Sequence, residues 1–401
     1  MNYYLLIALC VIVLLSYVFD ITSKYTRIPG VILLIITGMS INYLLSYFNV
    51  QMPDISGLLP MMGTIGLVLI VLEGSLDLTI SKNKSGLISK SISSAVIQFV
   101  VFVGIVTYIL VSFYDYPLKT TLANIIPLGI ISSAVAIPSA AGLKKNDREF
   151  VTYESSFSDI IGIIAFDFII YKNSRFGESI LSFSLELILT ILISVILSAA
   201  LAFILHRITH HVKYIIITTS ILLVYALAKL IHLPSLVVVL IFGLIMNNNH
   251  LFNTKYLQKI IDFEGFSTEL KSFKNITGEF TFIIRSFFFI IFGYYTYVSD
   301  LVNLNNLLLA VAISLSIFIL RAMYFRIVLK MPLYPLLFFA PRGLITILLF
   351  LTIPNNWALP FINQGLITQV IFISILLMAF GNMLFRGKKE EVLTVNTESL
   401  L

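Results

Sequence analysis

The chain has 401 residues, 59% of them hydrophobic and only 11% charged, with a mean hydropathy of +1.01. A soluble domain carries about 25% charged residues, so the composition excludes a soluble protein and leaves an all-α polytopic membrane protein. The single cysteine, Cys10, excludes an intramolecular disulfide and a multi-cysteine metal site. Membrane orientation, not nucleic acid, accounts for the net charge of +6.

Apolar stretches of about 20 residues predict thirteen spans. They lie at 3–20, 28–47, 58–80, 89–113, 122–142, 149–171, 178–206, 214–232, 234–249, 277–298, 305–330, 333–353 and 363–385. The first has no basic residue before it and no small-residue cleavage site, so it reads as a retained helix and not a signal peptide. Between spans nine and ten, 251–276 reads as a loop containing an amphipathic interfacial helix.

The loops after odd-numbered spans, with the C-terminal tail, hold nineteen Lys and Arg residues, and the opposite loops hold four: Lys119, Lys172, Arg175 and Lys229. The positive-inside rule then places the N-terminus outside and the C-terminus in the cytoplasm of a cell membrane. An odd span count gives the two six-span halves opposite orientations. The expected organisation is a first inverted repeat over 1–171, a linker helix over 172–213, a second repeat over 214–386 and a short cytoplasmic tail over 387–401. Span five carries Pro138 and span twelve Pro341 at corresponding places, and proline removes a backbone donor. Irregular backbone at membrane depth survives only where it is buried in protein or lines a cavity. The paired prolines therefore predict two broken, crossing helices around a midplane ion site.

Span six carries ESSFSD, residues 154–159, in an otherwise apolar setting. Asp159 lies about ten residues into the span, some 15 Å deep and close to the bilayer centre. A charge there costs roughly 2.5–3.5 kcal/mol on insertion scales, so it needs a partner or a watery cavity. Ser155 shares the Asp159 face at i−4. Glu154 is turned about 140° away and is expected to form a structural ion pair, with Arg321 of span eleven as the depth match. Arg342 follows the break in span twelve, where its charge compensates helix ends or repels cations from the wrong route. Arg285 reads as structural or snorkelling. Glu73 and Asp77 suit a helix end or a gate equally. Asp167 and Glu186 read as interfacial or structural, and His206, His210 and His211 as a solvated loop end.

Four stretches in order resemble the sodium/proton exchanger-like family of monovalent cation:proton antiporters, in its shorter bacterial and archaeal form. They are LVLIVLEGSLDL at 67–78, SSAVAIPSAAGL at 132–143 followed by ESSFSD, FIIRSFFFIIFG at 282–293, and APRGLIT at 340–346. The resemblance covers nearly the whole chain. It implies a homodimer whose protomers each have a panel (spans one to three and eight to ten) and an ion-carrying bundle (four to six and eleven to thirteen). It further implies that Asp159 binds the cation or the proton and that Glu154 pairs with Arg321. Many relatives have Thr-Asp-Pro where this chain has Ala136-Ile137-Pro138, which removes one carboxylate ligand. Ser132, Ser133 or backbone carbonyls near Ala136 are expected to supply oxygens instead. Ser158 stands where relatives have Asn, Thr or a second Asp, and without that second Asp the resemblance implies a neutral one-for-one exchange.

The expected function is secondary active antiport, with Na⁺ the leading cation and H⁺ the counter-ion. No cofactor, enzymatic activity or nucleic-acid partner is expected, and the bilayer is the one other partner. Two rivals stay open: an integral acyl- or glycosyltransferase, and a passive cation channel.

Overall fold

The structure, a computed structural model, describes residues 3–26, 28–48, 57–171, 185–201 except 187 and 199, 213–248 except 232, and 263–384. The His206, His210 and His211 cluster and the tail lie outside these residues. Among the described residues the regular structure is helical throughout. The helices are α1 (Tyr3–Thr26), α2 (Gly30–Tyr47), α3 (Leu58–Asp77), α4 (Ser85–Tyr114), α5 (Leu118–Gly129), α6 (Ser133–Ser139) and α7 (Lys145–Tyr171). They continue as α8 (Ile188–Ser198), α9 (Lys213–Leu230), α10 (Ser235–Asn247), α11 (Phe263–Tyr294), α12 (Val298–Val302), α13 (Leu304–Met323), α14 (Leu344–Leu351) and α15 (Gln364–Leu384). Each expected span falls on helix, although span seven is described only in part. Eight of the described helical segments are long and apolar enough to cross a membrane.

Packing sorts the helices into two groups. α1, α2, α3, α9, α10 and α11 pack on one another, while α4, α5, α6 and α7 pack together and with α13, α14 and α15. Within the first group, α2 and α11 cross at two glycines. A Cβ on Gly38 would lie 2.1 Å from the Ile290 carbonyl oxygen, and one on Gly293 would lie 2.2 Å from the Ile35 oxygen. Only hydrogen fits at either position, and such small-residue crossings let membrane helices approach backbone to backbone. Outward faces stay apolar, as at Val100, Ile105 and Tyr108 of α4, because lipid rewards burial of no polar group.

Two expectations need correction. Pro138 does not mark the break in span five. The helix opens at 130–132, between α5 and α6, and Pro138 sits inside the short α6. A proline near the end of a short helix removes one bond without stopping the chain. In span twelve, by contrast, Pro341 does lie in the irregular stretch between a 3₁₀ turn at Leu336–Phe338 and α14. The second correction concerns the expected interfacial helix. Its described part, from Phe263 on, runs without interruption into α11, a 32-residue helix that contains no proline to end it.

Candidate functional site

Breaking a helix inside a membrane leaves amides and carbonyls that need new partners. At 131–133 three consecutive N–H groups find them on two other elements, α7 and the break in span twelve. Ile131 donates to the Ser158 hydroxyl at 2.9 Å, Ser132 to the Pro341 carbonyl at 2.8 Å, and Ser133 to Asp159 Oδ2 at 3.3 Å. The two breaks are therefore joined directly. They also approach closely: a Cβ on Gly343 would lie 2.6 Å from Ser132 Oγ. On the other side of the break, the C-terminal carbonyls of α5 receive Arg342. Its Nε donates to Leu128 O at 2.8 Å and its Nη2 to Gly129 O at 3.4 Å, while Nη1 donates to Ala340 O at 2.8 Å. A cation there offsets the negative end of α5. Arg342 is a clamp on the crossing.

Asp159 is 5% exposed. Its Oδ2 holds the Ser133 amide, whereas its Oδ1 is buried without any protein partner. The Ser156 hydroxyl is buried and unpartnered in the same way. Both residues line a cavity of about 20 Å³, together with Ser133, Gly74 and Ser75. That volume admits a single water-sized species. A buried polar atom left unsatisfied costs roughly 1–3 kcal/mol, so two such oxygens beside one small cavity form a seat with room for one small polar or charged partner.

Not every expected ligand reaches this seat. The Ser155 hydroxyl turns back onto the Val151 carbonyl at 2.7 Å, so it closes on its own helix. Ser158 faces the break, as described. Ala136 is fully buried, its carbonyl accepts the Ala140 amide, and it does not line the cavity. Ser132 keeps a buried, unpartnered hydroxyl, set against Gly343. Ser156 is the residue that sequence reasoning passed over. The signal was present, since i−3 brings a side chain beside Asp159 as well as i−4 does.

Glu154 and Arg321, both 0% exposed, meet in a bidentate pair: Nη1 to Oε1 at 2.7 Å and Nη2 to Oε2 at 2.6 Å. Ser94 of α4 donates to Oε1 at 2.5 Å. Arg321 also gives Nε to Leu336 O at 3.0 Å, and its guanidinium lies 4.5 Å from the centre of the Phe325 ring. Burying a pair this deep is tolerable only when the surplus donors and lone pairs are satisfied, and here they are.

The remaining intramembrane charges lie elsewhere. Asp77 is ion-paired with Lys274, and Glu73 lies near Gly278. Asp167 lines a separate cavity of about 70 Å³ with Tyr225 and Lys229. Arg285 donates from Nη1 to the Ala134 carbonyl at 3.3 Å. Among the described residues no group of three or more His, Cys, Asp or Glu side chains converges as a metal site.

Comparison with known proteins adds a family and a fold. The profile described as "Sodium/hydrogen exchanger, transmembrane" matches residues 9–386. A comparison with curated protein sequences gives no match. Among solved structures, the fold is similar to the sodium proton antiporter MjNhaP1 from Methanocaldococcus jannaschii at pH 8, with a TM-score of 0.71 and 20% identity over 96% of this chain and 100% of that one. An electron-microscopy map of the same antiporter gives a TM-score of 0.68, also at 20% identity, over 95% of each chain.

Proposed function

This chain belongs to the transmembrane sodium/hydrogen exchanger family, and from that premise we propose that it exchanges Na⁺ for H⁺, one for one, at Asp159. The activity is transport and not enzymatic catalysis. The observation that carries the proposal is the unpartnered Oδ1 of Asp159, buried beside a single-ion cavity where two broken helices cross.

The mechanism follows from charge. Asp159 holds either a proton or a cation, and each leaves the carboxylate neutralised. An empty, ionised carboxylate is expensive in a low-dielectric barrier, so the bundle moves only when loaded, and that penalty couples the two fluxes. One titrating carboxylate per site makes the loaded states equal in charge, hence electroneutral exchange. Ser156 and the broken-helix backbone complete the cation's oxygen shell. The bundle of α4–α7 and α13–α15 carries the site past the panel. The protein works as a homodimer in a cell membrane, N-terminus outside, as the distribution of basic residues supports.

Purified protein in vesicles with a pH-sensitive dye inside tests this reading. An imposed Na⁺ gradient should move protons, and clamping the membrane potential at different values should leave the rate unchanged. Cation flux without proton counterflow would indicate a channel, and a potential-dependent rate would contradict one-for-one exchange.

A further inference from the structure

Proline at 138 has a consequence away from the break. Without an N–H it cannot bond the carbonyl four residues back, which belongs to Ala134. Arg285 supplies the missing donor, from Nη1 at 3.3 Å. The two residues sit on opposite sides of the moving interface: Arg285 on α11 of the panel group, Ala134 in the first turn of α6 in the bundle group. That first turn is also the one whose Ser133 amide holds Asp159 Oδ2.

Arg285 further lines a cavity of about 380 Å³, with Ala134, Val135, Pro138 and Asp20 also in its wall. The cavity ends one residue short of Ser133. By the distribution of basic residues it lies on the cytoplasmic side, since Gly142 in its wall leads directly to Lys144 and Lys145.

We propose that Arg285 is a positioning residue: through the carbonyl that Pro138 leaves free, it holds the first turn of α6 against the panel and so sets the Ser133 amide on Asp159 while the cytoplasmic vestibule is open. The bond crosses between panel and bundle, so it must break when the bundle moves and re-form when it returns. This inference rests on the antiport reading above. It predicts that loss of the bond weakens cation capture from the cytoplasmic side without removing the chemistry.

The test is a double-substitution cycle in vesicles with the cation supplied at the cytoplasmic face. Arg285→Ala should raise the half-saturating Na⁺ concentration about five- to tenfold, the size of an ordinary net hydrogen bond, with the maximal rate held within about twofold. Arg285→Lys and Arg285→Gln, which keep a donor, should restore most of the affinity. Pro138→Ala gives α6 its own N–H for the Ala134 carbonyl, so it should raise the half-saturating concentration by itself. Adding Arg285→Ala to Pro138→Ala should then change little more. If Arg285→Ala yields no folded protein, Pro138→Ala still carries the test. An unchanged half-saturating concentration in Pro138→Ala, or two effects that simply multiply, overturns the proposal. Wild-type exchange in the same vesicles keeps such a failure separate from a failure of the antiport reading.

Discussion

The backbone amide of Ser132 donates to the carbonyl of Pro341 across 2.8 Å, and the two belong to different broken helices. One hydrogen bond thus joins the breaks of spans five and twelve, directly next to the amide that holds Asp159. Gly343, two residues past Pro341, leaves the space in which Ser132 fits.

Gly343→Ala should wedge the crossing apart. A methyl 2.6 Å from Ser132 Oγ cannot be accommodated without movement, and overpacking of this kind costs about 1–3 kcal/mol. Thermal unfolding in detergent should show the loss, and exchange should slow at least tenfold. Pairing it with Ser132→Gly should recover part of the stability. Wild-type stability for Gly343→Ala would mean that the crossing is looser than described.

Arg321→Ala should destabilise the fold by about 3–5 kcal/mol, because it strands Glu154 as a buried, unpaired charge. Neutralising both partners, with Glu154→Gln added, should cost less than the two single changes summed. Unfolding curves for the two single variants and the double variant decide it. Additive losses would show that the bidentate contact carries no coupling.

Ser156 and Ser155 make a matched pair of substitutions. Ser156 has an unpartnered hydroxyl beside the cavity, whereas the Ser155 hydroxyl is spent on Val151. Ser156→Ala should raise the half-saturating cation concentration several-fold, and Ser155→Ala should leave it near wild type. The reverse order would relocate the cation's oxygen shell.

Proton and cation should compete. A protonated Asp159 has no place for Na⁺, so lowering the pH on the side of cation supply should raise the half-saturating Na⁺ concentration, up to about tenfold for each pH unit, at nearly constant maximal rate. Initial rates over a pH series check the sign. A maximal rate that falls at constant half-saturation would point to a separate proton site.

Much of the architecture is legible in the sequence because lipid punishes exceptions. Among the described residues each apolar run of span length falls on helix, and Glu154, Asp159, Arg321 and Arg342 stand out since charge is so costly at their depth. What was not legible depends on rotation and local energetics. Ile130-Ile131-Ser132 itself contains no proline or glycine, although Pro127 and Gly129 precede it, yet the helix opens there, and Ser158, Pro341 and Asp159 take the amides of Ile131, Ser132 and Ser133. Pro138 advertised a break and instead released one carbonyl. Ser155 and Ser156 differ by a 100° turn about the axis, and either spacing suits a neighbour of Asp159. Only the folded helix shows which hydroxyl has already closed on its own backbone.

The central claim, that Asp159 carries both ions, is tested most directly by Asp159→Asn in the vesicle assay. The amide keeps the size of the side chain and can still accept the Ser133 amide, but it can neither release a proton nor neutralise Na⁺. The account predicts a folded, vesicle-inserted protein with no Na⁺-driven proton movement. Exchange that persists in Asp159→Asn would contradict it.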